Sequence, residues 1–175
     1  MSKIEELLQE LNVEAQTTRR VLERVPGDRL GWKPHDRSMS LGQLALHVAT
    51  IPGAIAEMSR QSPFPVPRFV QPEPVSVAEL TTALDQSVAR ACAVLGEMEE
   101  ESLSDLWRVV DGDREVMVIP VAVLLRSIML NHWYHHRGQL AVYLRQVGAL
   151  VPSIYGPSAD ENPFALARAA SAVSA

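Results

Sequence analysis

Two histidines four residues apart, His132 and His136, lie in the stretch Asn131–Gln139 (NHWYHHRGQ), within a run from Val121 to Arg137 that contains neither glycine nor proline. On a helix, residues four apart sit one above the other on the same face. At about 100° of rotation per residue, Val121, Leu125, Ile128, His132, His136, Gln139 and Tyr143 fall on one stripe. The stripe is apolar where it begins, so it is expected to face a core. Imidazoles on such a face need partners, because a buried polar group without one costs roughly 1–3 kcal/mol. One metal ion serves both rings, and an i, i+4 pair of histidines reaches a single ion from one helical turn.

A third ligand has to come from another helix, and His47 is the candidate. It sits in Leu46-His47-Val48, midway along an apolar face with no polar neighbour to satisfy it. Three histidines leave the remaining coordination positions to water or substrate, the open arrangement of a catalytic metal. The alternative is that each histidine is an ordinary hydrogen-bonded residue of core or surface. That reading is preferred for His35, in a loop, and for His135, which is off the stripe and expected to face a neighbouring helix or solvent. Gln139, one turn beyond His136, is placed to hydrogen-bond a ligand's free ring nitrogen or a bound water. Arg137 is also off the stripe; it could tie the helix to a nearby Asp or Glu or hold an anionic substrate, and the structural role is preferred.

The position after His132 is Trp133, where a zinc protease of His-Glu-x-x-His type carries its general base, and no carboxylate lies between Arg126 and Asp160. Peptide hydrolysis is therefore not expected. A polarised water or a bound thiolate needs less help, because the ion itself lowers the pKa. Neither a nucleophile elbow, a P-loop nor a dinucleotide-binding glycine motif occurs.

The elements that must position these residues read as helices. Ser2-Lys3-Ile4-Glu5, Ser40-Leu41-Gly42-Gln43 and Ser76-Val77-Ala78-Glu79 are three capping boxes, each ahead of a helical apolar period. The first helix stops at Pro26-Gly27-Asp28, and the connector Arg29–Ser38 is expected to be an ordered loop packed by Trp32. The second helix carries His47, with a kink expected at Pro52-Gly53. Five of the twelve prolines fall within Gln61–Pro74, an extended crossover. The third helix ends in the acidic stretch Glu97–Glu101, and Trp107–Val118 reads as a short hairpin or a loop. A fourth long helix runs from Val121 to Val147, closed by Gly148. Val151–Ser158 is irregular, and a short helix is expected near Pro163–Ala170. The fold class is thus all-α, a four-helix bundle with a long proline-rich crossover, over residues 1–160. Residues 161–175 form a partly helical or frayed tail.

Composition narrows the function classes. A net charge of −5 without a Lys/Arg cluster leaves no footprint for nucleic acid. The single cysteine, Cys92, excludes an internal disulfide and a multi-cysteine zinc site, and it falls on a helical pattern as a small core residue. No apolar run is long enough to span a bilayer and the N-terminus lacks a signal region, so a cytoplasmic protein without membrane contact is expected.

The segment His132-x-x-x-His136-Arg137-Gly138-Gln139-Leu140 resembles the signature of the DinB-like family of four-helix-bundle metalloenzymes. Trp32-Lys33-Pro34 with Met39–His47 resembles that family's first-ligand segment, and Val151–Asp160 resembles the family's segment after its last bundle helix. The resemblance covers about Ile4 to Asp160. It implies a DinB-like bundle, commonly a homodimer, with a divalent metal, zinc or nickel, on His47, His132 and His136. It further implies an activity of thiol-S-transferase, isomerase or hydrolase type on small electrophiles, with a low-molecular-weight thiol such as bacillithiol or mycothiol as co-reactant. The alternative function is a non-catalytic metal-binding or stress-associated dimeric bundle protein, whose ion would be structural.

Overall fold

A computed structural model describes residues 1–68 and 70–165. Three long helices, α1 (Lys3–Leu22), α2 (Leu41–Met58) and α3 (Val77–Gly96), are joined by a fourth over 121–146. Together they form the expected bundle around a core that includes Leu11, Leu44, Leu80, Leu95, Leu125 and Leu140. Among the described residues, no helix is long and apolar enough to cross a membrane. The tail helix expected near Pro163–Ala170 falls mostly outside the described residues.

The caps form as their residue types dictate. The Ser2 hydroxyl accepts from the Glu5 amide and the Glu5 carboxylate from the Ser2 amide, and Ser40 and Gln43 repeat the pattern on α2. At α3 the box is half made: Ser76 accepts from the Glu79 amide, but the Glu79 carboxylate takes the Val75 amide instead. The acidic stretch has a use at α1, where Glu100 accepts from the Lys3 and Ile4 amides. Its carboxylate lies below the ordinary range chiefly because of the Lys3 amide.

The segment between Trp107 and Val118 resolves to a hairpin. Strands β2 (Leu106–Asp111) and β3 (Arg114–Pro120) pair antiparallel around Gly112, whose φ of +60° suits glycine. The proline-rich crossover contributes a two-residue strand, β1 (Phe64–Pro65), parallel to β2. Trp107 on β2 donates its indole N–H to the Met58 and Gln61 carbonyls, fastening the sheet to the end of α2.

Helix α2 carries through Pro52, and the groups that the proline disturbs are satisfied from neighbouring helices. A proline cannot donate to the carbonyl four residues back, here that of Val48, and the buried indole of Trp133 donates to it instead at 2.8 Å. Next to it, the Gly53 amide donates to the Ser87 hydroxyl at 2.8 Å, and that hydroxyl donates to the Thr50 carbonyl at 3.0 Å. Helices α2 and α3 touch at this point: a Cβ on Gly53 would lie 2.7 Å from the Ser87 carbonyl oxygen.

The fourth helix departs from the regular rotation assumed for it. It consists of one α-turn (Val121–Val123), a π-helical stretch (Leu124–Asn131) and an α-helix (His132–Gln146). The wider i→i+5 turns shift everything downstream by roughly one residue relative to a uniform α-helix. Hence the deepest face of His132–Gln146 is Trp133, Arg137, Leu140 and Leu144. His132, His136 and Tyr143 flank that face, half-buried. Arg137, off the stripe by regular periodicity, is in fact only 1% exposed.

Gly53→Ala is expected to destabilise the fold by about 1–3 kcal/mol in urea unfolding, because backbone of α3 occupies the place of the new methyl. Gly138→Ala, on a helix with open space at its Cβ, should instead add about 0.5–1 kcal/mol.

Candidate metal centre

Each of the three histidines owes its place to a distinct local cause. His47 sits midway along α2, one residue before the carbonyl that Pro52 leaves free. His132 is the first residue beyond the π-helical stretch. Its backbone N–H donates to the Met129 and Ser127 carbonyls, three and five residues back, rather than to that of Ile128. The Ile128 carbonyl, which a regular α-turn would have used, lies 3.3 Å from His132 Nδ1 instead. His136 follows one α-turn later, and its Nδ1 is 2.7 Å from Gln139 Oε1.

Carbonyl and amide oxygens only accept, so both contacts place a proton on Nδ1 and leave Nε2 of His132 and His136 as lone-pair donors. The three rings converge, with centroid separations of 5.3 Å (His47–His132), 4.7 Å (His47–His136) and 4.5 Å (His132–His136). One ligand atom from each lies within 4.8 Å of the others. All three side chains are half-buried, and among the described residues no carboxylate or thiol joins the group.

The electrostatics favour neutral rings. Burial, then the proximity of His136 and His132, lowers the pKa of His47 to about 4. His132 and His136 are also shifted down, chiefly by burial; the Ile128 carbonyl and Gln139 respectively oppose the shift. Three uncharged imidazoles with free ring nitrogens aimed at one volume have the donor chemistry of a divalent transition-metal site. The residues present fit such an ion.

The other sequence candidates lie elsewhere. His135 is exposed beside the cluster, its ring 5.0 Å from that of His136. His35 is exposed in its loop, where its Nδ1 accepts from the Arg37 amide. That loop is ordered as expected: Leu41 and Gly42 amides donate to the Trp32 and Leu30 carbonyls, and Trp32 packs edge-on against Tyr143 at 5.6 Å. Cys92 is partly buried between α1 and α3, and burial pushes its thiol up.

Arg137 makes the structural tie to a carboxylate expected of it, but from a buried place beneath the histidines that regular periodicity did not give it. Arg137 pairs with Glu14 of α1 at 2.6 Å and donates to the Thr18 hydroxyl, the Glu14 carbonyl and the Tyr155 hydroxyl. It lies over the rings of Tyr134 and Tyr155. The segment carrying Tyr155 is fastened by Asp160, which accepts from Arg145 and the Val151 amide. A signal for Trp133 was available: a proline inside a buried helix leaves one carbonyl needing a donor from elsewhere.

Comparison with known proteins adds a lineage. The model of the DinB family matches residues 1–163. The chain belongs to the DinB family. It is similar to the uncharacterised protein YrdA of Bacillus subtilis strain 168, with 26% identity over 159 residues, covering 90% of this chain and 91% of that one. A DinB-like protein from Bacillus cereus shares the fold, with a TM-score of 0.69 and 24% identity over 86% of this chain and 97% of that one. A more distant fold match is the mycothiol-dependent maleylpyruvate isomerase, with a TM-score of 0.53 and 18% identity over 85% of this chain and 62% of that one.

The depressed histidines set a pH dependence for the metal-free protein. His47 binds its proton at about 4 in the folded state and near 6.5 when unfolded. The unfolded chain therefore binds more protons between those values, and the contribution of the neutral His47 is fully present above about pH 6.5 and declines toward pH 4. Urea unfolding in EDTA should show this decline, and His47→Gln should make it shallower.

Proposed function

We propose that the chain is a metal-dependent enzyme in which His47, His132 and His136 hold one divalent ion, zinc or nickel. Its reaction is the activation of a low-molecular-weight thiol for transfer to, or isomerisation of, a small electrophile. The observation that carries this reading is the convergence of three neutral imidazoles on one volume with no fourth protein ligand among the described residues. Three ligands leave coordination positions open, which favours catalysis over a purely structural ion.

The ion would supply Lewis acidity, lowering the pKa of a thiol or water that binds it. The chain's own residues do the rest. Gln139 fixes the tautomer and ring orientation of His136, and the Ile128 carbonyl does the same for His132. The absence of a carboxylate from the cluster supports thiol activation over hydrolysis, since water attack gains more from a general base. The fold shared with a mycothiol-dependent isomerase points to the same class of co-reactant. We further propose that the protein works in the cytoplasm as a homodimer. Val13, Val123 and Val142 are exposed apolar side chains available to such an interface.

Protein prepared without a metal-affinity step should contain about one equivalent of zinc or nickel by mass spectrometry, the count expected of a three-histidine site. His132→Ala should bind divalent ions at least 10-fold more weakly. Equal binding by wild type and His132→Ala would overturn the site. Adding cysteine or another small thiol to the cobalt-substituted protein should change its visible spectrum; an unchanged spectrum would remove the thiol. Sedimentation should give twice the monomer mass.

A further inference from the structure

We infer that Pro52 and Trp133 form a positioning pair that fixes the two halves of the three-histidine cluster in register. The inference rests on the metal-site reading given above. The bond from the Trp133 indole to the Val48 carbonyl joins the residue next to one ligand to the side chain next to another. His47 immediately precedes Val48, whose carbonyl accepts the bond, and His132 immediately precedes Trp133, whose indole donates it at 2.8 Å.

The acceptor exists because of the proline. In an uninterrupted α-helix the Val48 carbonyl would take the amide of residue 52, but Pro52 has none. Val48 is fully buried, so its carbonyl needs a donor from within the protein. Trp133 is also fully buried, and an indole offers one donor and no acceptor. The Trp133 side chain uses its one donor on this carbonyl, and sliding the fourth helix by one residue or one turn would break the bond.

Such a tie is needed because the fourth helix is not registered by regular winding. The π-helical stretch Leu124–Asn131 ends directly before His132. Conversion of that stretch to α-helix would rotate the following residues by roughly one position and turn the His132–His136 pair away from His47. The Trp133 bond holds the rotational setting at its first buried residue after the stretch. A proline in the middle of α2, unfavourable for the helix by itself, thus serves the site by creating the acceptor.

Trp133→Phe, Pro52→Ala and the double variant test this, with cobalt affinity, the cobalt spectrum and Tm measured on each beside wild type and His132→Ala. Trp133→Phe keeps a ring but loses the donor, so Tm should fall by several degrees. Cobalt affinity should drop about 10-fold or more, with an altered spectrum. In the double variant the backbone amide restored by Pro52→Ala satisfies the Val48 carbonyl, so Tm should recover while affinity stays low. Recovery of both together would show that the indole bond serves stability alone and would overturn the inference, as would unchanged cobalt affinity in folded Trp133→Phe. Wild-type protein that binds no more cobalt than His132→Ala would instead overturn the metal site itself, and the positioning role with it.

Discussion

The interaction on which the rest of this bundle depends is the ion pair between the buried Arg137 and the half-buried Glu14. Removing a guanidinium from water costs several kcal/mol, and the attraction of its partner does little more than offset it. Its importance is geometric. Arg137 is satisfied by Glu14 and Thr18 of α1 and by Tyr155 of the C-terminal segment, and the Tyr155 hydroxyl in turn donates to Glu14. Three pieces of chain that share no sequence neighbourhood must assemble correctly before the charge is compensated. Because Arg137 directly follows His136, the closed network also fixes one wall of the metal centre.

Helix α2 faces the same problem without a charge. Its proline breaks one backbone bond, and the groups around the break find partners in α3 and the fourth helix. Gly53 permits the close contact that brings the Ser87 hydroxyl into reach. A defect in one helix thereby becomes a pair of interhelical bonds, and these bonds say which helices pack at that level. Local helix propensity would have favoured a different residue at 52; the tertiary arrangement uses what propensity disfavours.

Much of this was legible in the sequence. Capping boxes, proline punctuation and apolar periods marked the helices, and the Trp32 loop was readable as an ordered connector. The approach of His47 to His132 and His136 followed from an inward histidine lacking any polar neighbour. What could not be read was rotational phase in the fourth helix. The segment Leu124–Asn131 is apolar enough that α and π winding bury similar residues, and nothing in its composition announces the wider turn. From there the error propagated: the regular stripe put Arg137 off the core face, whereas it lies among the most deeply buried side chains. At Ser76 the sequence offers Glu79 two adjacent amides, and its carboxylate accepts from that of Val75.

The uncharged character of the histidine cluster has a consequence for what can approach it. A carboxylate or thiolate ligand would cancel part of an ion's charge; three imidazoles cancel none. The centre, once filled, would be a concentrated double positive charge in the wall of a protein whose net charge is −5. Chloride, phosphate and other common anions would then compete with any thiolate for the open positions, and the half-burial of the site would strengthen each such contact beyond its value in water. Selection among anions would fall to the shape of the space left beside the three rings, since all three imidazoles are themselves neutral.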